Sequence, residues 1–200
     1  MDKTIRRIII FASIFHILFS VLLLAIGRAE LLPDMFSQNG LGTFASDSFR
    51  YMREIRELVS ILNEDGILAF VQHPFDFHVK IYALSAFVLS PIWGFTILGV
   101  ELANLVYYVS VVLLSYGLGR EIFNRDVAVL AAFAVGLWPS FLLFSTQLYK
   151  TPIIVMLIIA LVWMMTRLIT GKFRIGFAFI HVVIVLIILK FLKLIRPEWW

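Results

Sequence analysis

Cysteine is absent from the 200 residues, which removes disulfides, thiolate nucleophiles and cysteine-based metal sites from consideration. Charge is scarce: 15% of residues are Asp, Glu, Lys or Arg, against about a quarter in soluble chains. No basic tract interleaved with aromatics occurs outside the apolar runs, so the net charge of +4 points to membrane phosphates and not to nucleic acid. Repeats and low-complexity tracts are also missing. What fills the sequence is apolar. With 62% hydrophobic residues and a mean hydropathy of +0.98, an ordinary soluble domain is excluded. The apolar runs are continuous and do not alternate, which selects helices as spanning elements. The expected fold class is an all-α integral membrane protein in a plasma or inner membrane.

Lys3, Arg6 and Arg7 precede an uncharged run from Ile8 to Ile26. At ~1.5 Å per residue this run is about 28 Å long and can cross the ~30 Å hydrocarbon core. A secretory signal peptide is the competing reading, because Ala25-Ile26-Gly27 resembles a cleavage site, but signal cores are usually shorter, roughly 7 to 15 residues. The basic flank places the N-terminus in the cytoplasm and sends residues 28–78 outside. Eight of the 13 acids fall in or beside that stretch, from Glu30 to Asp76.

Within the exported loop, Phe49, Met52, Ile55, Leu58, Val59 and Leu62 form one apolar stripe opposite Arg50, Arg53, Glu54, Arg56 and Glu57, the pattern of an amphipathic helix at a membrane interface. Asn63-Glu64-Asp65-Gly66 reads as its C-terminal stop. Residues 79–118 are nearly uninterrupted apolar sequence. Either 79–95 is an interfacial or half-inserted helix and 98–118 crosses, or both halves cross. The distribution of Lys and Arg favours the first. Five spans are then expected, at about 8–26, 98–118, 127–145, 152–169 and 176–195, in a single module covering 1–200.

Several polar residues can carry chemistry. Asp47, at the head of the amphipathic helix, reads as an N-cap or as a catalytic carboxylate at the membrane surface, with Tyr51 one turn further on the same face. His73-Pro74-Phe75-Asp76-Phe77-His78 offers two imidazoles and a carboxylate, without a recognised zinc spacing. Snorkelling to the interface, or contact with a lipid phosphate, competes with metal binding there. Lys150 lies in the short outer turn before Pro152 and, with Lys190, Lys193 and Arg196, forms a candidate basic patch for an anionic headgroup. His16, Glu101 and His181 are polar groups within spans, expected to pack inward against a partner helix.

Asp47-x-x-x-Tyr51, His73-Pro74, Gly94 with Asn104, Tyr116-Gly117-Leu118-Gly119-Arg120-Glu121-Ile122-Phe123 and Trp138-Pro139, taken in this order, resemble the amino-terminal half of a GT-C membrane glycosyltransferase. Protein O-mannosyltransferases, aminoarabinose-transferase-like enzymes and their bacterial cell-envelope polysaccharide counterparts are similar in style. The resemblance implies transfer of a sugar from a polyprenyl-phosphate carrier to an acceptor at the outer membrane face. It implies that Asp47 acts at the acceptor or its metal, that His73 and Lys150 lie near the donor phosphate, and that Tyr51 contributes to substrate binding. A divalent metal stays an open alternative as cofactor. Thr151 stands where such enzymes often carry an acid. The chain corresponds to one half of the family's machinery, so a partial enzyme or a second membrane subunit is expected. The alternative from another class is a non-catalytic membrane scaffold or accessory subunit that binds lipid or a partner protein.

Overall fold

A computed structural model describes residues 3–170, 183–191 and 193. The described residues are helical, joined by turns, with a lone antiparallel bridge between Phe36 and Gly42. Helix α1 runs Lys3–Arg28, α2 Ser46–Glu64, α3 Gly66–Gln72, α4 Phe77–Trp93, α5 Glu101–Ile122, α6 Arg125–Gly136, α7 Pro139–Ser145 and α8 Thr151–Ile169; a 3-10 turn at Leu98–Val100 leads into α5. Three elements are long and apolar enough to cross a membrane, namely α1, Leu98–Ile122 and α8, and a fourth if the bent pair α6 and α7 counts as one span. Half of the fifth expected span, 176–195, falls outside the described residues; 183–191 are helical.

The packing is compatible with helices set in lipid. On α1, Ala12, His16, Ser20 and Gly27 turn inward, while Phe11, Ile14, Leu18 and Leu22 are exposed. Ile8, Leu23 and Leu24 are buried beside the former; lipid tails give little hydrophobic gain for burying leucine, so small and polar residues sit inward where helices approach and many large apolar ones face outward. Helix α6 repeats the device with Ala128, Ala132 and Gly136 at four-residue spacing on its buried face. A Cβ at Gly119 of α5 would lie 2.9 Å from the Cα of Ala128, so the α5–α6 approach depends on that glycine. Helix α5 is the central element, packed against α1, α6 and α8.

The expected span 127–145 is broken by 59° between α6 and α7. Pro139 removes a helical N–H and holds Trp138 in an extended conformation (ψ 115°). The Tyr108 hydroxyl donates to the freed Gly136 carbonyl at 2.6 Å, replacing part of the interrupted ladder.

The amphipathic helix forms where the periodicity places it, with two differences. Its stop at Asp65 and Gly66 is followed at once by α3, whose Ile67, Leu68 and Val71 are exposed. Its apolar stripe, expected to lie on the bilayer, is largely consumed inside the protein. Met52, Ile55, Leu58 and Val59 are buried in one cluster with Val79, Tyr82, Ala83 and Ala86 of α4. Helix α4 takes up residues 79–93 of the expected 79–95 segment and, at 17 residues, is shorter than the three candidate spans.

Candidate functional site

The site is organised by the turn between α7 and α8, residues 146–150. Buried carbonyls in such a turn need partners, and several other segments supply them. Asn104 donates to Thr146 O at 3.1 Å, Ser48 to Leu148 O at 3.3 Å and Tyr82 to Tyr149 O at 2.9 Å. Gln147, fully buried, accepts the Gly42 N–H at 2.8 Å and donates to Gly40 O at 3.4 Å. Gly40 has φ +81°, and a Cβ there would meet Ile97 Cδ1 at 2.8 Å, so only glycine lets the loop lie this close to α1 and Ile97. The turn thereby joins loop 37–44, α2, α4 and α5 at one end of the bundle.

Onto this platform α2 brings its first two turns. The helix starts at Ser46 with Ala45 as N-cap and no side-chain capping bond, so the N-cap role expected of Asp47 is not realised. Asp47 sits in the first turn, where its charge complements the helix dipole, and its side chain is 51% exposed. Arg50 stands between carboxylates, 4.0 Å from Asp47 Oδ1 and 3.8 Å from Glu54 Oε1. Its guanidinium lies 4.8 Å over the ring of Tyr51. Tyr51 is buried and meets His78 edge-on, ring centroids 4.8 Å apart.

Asp76 and His78 arrive from the start of α4. Burial pushes the pKa of the His78 imidazole down to about 4, with Lys150 and Arg50 adding to the effect and Asp76 and Asp47 opposing it. His78 is therefore neutral near pH 7, with its Nε2 buried and without a hydrogen-bond partner. Burial likewise raises the Tyr51 phenol and the Glu54 carboxyl, and it raises Tyr149, with the charge of Asp47 adding to the effect. Both residues of the Tyr149-Lys150 pair thus act electrostatically on the Asp47, Tyr51 and His78 cluster or respond to it.

The residues expected at the site divide accordingly. Asp47, Tyr51 and Lys150 share one neighbourhood. His73 points elsewhere: its Nε2 is 3.7 Å from Glu57 Oε1 and its ring packs on Phe75 at 4.3 Å. Glu57 lies ten residues beyond Asp47, about 15 Å along the helix. The imidazole beside Tyr51 is that of His78; its spacing of four from Tyr82 puts both on the inner face of α4. No local pattern marked Gln147. Among the described residues no group of three or more His, Asp or Glu side chains is placed to hold a metal ion. Lys190 and Lys193 are exposed, and Phe191 lies 5.3 Å from Phe77, which brings that basic stripe to the same end. Arg196 and His181 lie outside the described residues.

A second polar cluster sits inside the bundle. His16 donates from Nδ1 to Glu101 Oε1 at 2.6 Å, and Ser20 donates to Glu101 Oε2 at 2.9 Å. His16 Nε2 and Ser145 Oγ are 3.0 Å apart. The groups expected to seek a partner helix therefore find one another and tie α1, α5 and α7 together. Comparison of the chain with protein-family models, with curated proteins and with solved structures gave no match.

Proposed function

We propose that the chain is a glycosyltransferase module that uses a polyprenyl-phosphate-linked sugar at the outer membrane face. The N-terminus and the opposite, basic end are assigned to the cytoplasm. The observation that carries this reading is the meeting of Asp47, Arg50, Tyr51 and His78 with the Lys150 turn at one end of an apolar bundle. A half-exposed carboxylate can accept the acceptor's proton as general base, an effect worth about 10²- to 10⁴-fold in rate. Arg50 and Lys150 supply positive charge where the phosphate leaves. Neutral His78 lies buried behind these groups and holds the Tyr51 ring edge-on. Asp76, whose charge acts on Tyr51, Glu54 and His78, provides a second carboxylate in place of the acid that Thr151 lacks.

The experiment is binding and transfer with a polyprenyl-phosphate sugar and the full chain in nanodiscs. Lys150→Gln is expected to weaken donor binding about tenfold through loss of a charge-assisted contact. Asp47→Asn should leave binding intact and remove most transfer. Affinity that is the same with and without the sugar would reject the enzyme and favour the scaffold reading.

A further inference from the structure

At the basic end, far from the Asp47 cluster, the Tyr116–Phe123 motif has no part in the proposed transfer. There α1, α5 and α8 enclose an open cleft of about 460 Å³ lined by Ile5, Leu113, Tyr116, Arg120, Trp163 and Arg167, together with Gly117 and Glu121. Three donors on residues that line it are buried without hydrogen-bond partners: the Tyr116 hydroxyl, Trp163 Nε1 and Arg167 Nε. The Arg167 guanidinium lies 5.3 Å over the Trp163 ring, and its Nε is 3.9 Å from Glu121 Oε2. Gly117 forms the wall on which the indole rests, because a Cβ there would stand 3.3 Å from Trp163 Cε2.

Buried donors left unsatisfied are costly, and here they stand on the walls of one cleft beside the Arg167 guanidinium. A phosphate fits this set: it accepts from every donor present, and the planar guanidinium fork matches its oxygens. Ile5 lies one turn before Ile8, where the apolar run of α1 begins, so the cleft opens at the bilayer boundary. Its walls Ile5, Leu113 and Trp163 are apolar and suit the glycerol and first acyl carbons. We infer that this cleft is a binding site for the phosphate headgroup of an anionic phospholipid. The site lies at the opposite end from the proposed transfer centre and stands whether or not that reading holds.

The test uses the purified full chain in neutral detergent, titrated with phosphatidic acid, phosphatidylcholine or inorganic phosphate and read by native mass spectrometry. One phosphatidic acid should be retained in preference to phosphatidylcholine. Arg167→Gln should weaken it about tenfold, as expected for loss of a charge-assisted pair, and the isosteric Tyr116→Phe about threefold. Arg7→Gln, exposed at the same end but outside the cleft, should leave it unchanged. Equal losses in all three variants, or no loss in Arg167→Gln and Tyr116→Phe, would overturn the site. Inorganic phosphate binding as tightly as the lipid would overturn its assignment to a lipid.

Discussion

Replacing Glu101 tests whether the bundle is held by its internal polar cluster. The carboxylate receives the His16 Nδ1–H at 2.6 Å and the Ser20 hydroxyl at 2.9 Å, and His16 and Ser20 are both fully buried. Glu101→Ala leaves two donors without an acceptor where water cannot replace it. Each orphaned group costs about 1 to 3 kcal/mol, and the vacated volume adds to that. Polar pairs between membrane helices average only about 0.6 kcal/mol, because the separated helices also find partners, which pulls the expectation to about 2 to 4 kcal/mol. Glu101→Gln keeps the shape and one acceptor, and Ser20 can rotate to accept from the new amide, so about 1 kcal/mol is expected. The assay is unfolding in mixed micelles followed by circular dichroism. In a cycle with His16→Ala the two losses should be strongly non-additive. Both Glu101 variants lying within about 0.5 kcal/mol of the parent, the range of an ordinary surface change, would refute the reasoning.

Other outcomes follow from the same structure. His78 has its pKa lowered to about 4 from 6.5, so its contribution to stability is complete above pH 6.5 and is lost as pH falls toward 4, while the unfolded chain takes up the proton and the folded chain does not. The loss is about 3 kcal/mol over that window, and His78→Gln should flatten the pH dependence of the melting temperature between pH 6.5 and 4; an unchanged slope contradicts a buried neutral imidazole. Gly119→Leu should separate α5 from α6, since even a Cβ comes 2.9 Å from the Ala128 Cα, and thermal melting should fall markedly while Leu118→Ala has a small effect. Gln147→Leu removes the acceptor of the Gly42 N–H, and hydrogen exchange should rise selectively in residues 40–45; uniform exchange would argue against the turn as anchor.

The helical class and most helix limits were legible because each depends on local pattern. The run Ile8–Ile26 lies inside α1 and the Asn63–Gly66 stop ends α2. The break at Trp138-Pro139 was missed although proline in a span is a known interruption, because composition alone counted 127–145 as continuous. The stripe on α2 was legible, its occupant was not: periodicity shows that a face is apolar and leaves open whether lipid or α4 covers it. At the candidate site, residue type and position suffice to propose Asp47, Tyr51 and Lys150, which the fold places in one neighbourhood. His73 and His78 are indistinguishable by type, and what separates them is that α4 begins at Phe77, so that His78 turns toward Tyr51 while His73 remains in the connection beside Glu57. Pairings across long separations, such as His16 with Glu101 or Gly42 with Gln147, leave no trace in the sequence of either partner.

The central claim is that the Asp47 helix and the Lys150 turn share one membrane face, opposite the basic end. The cysteine-free chain permits a direct measurement with single cysteines at Arg53, Thr151 and Lys3, all exposed positions, probed in intact cells with a membrane-impermeant maleimide. Arg53→Cys and Thr151→Cys are predicted to label from outside and Lys3→Cys only after permeabilisation. Labelling of Arg53→Cys with protection of Thr151→Cys would place the two halves of the site on opposite sides of the membrane and contradict the account.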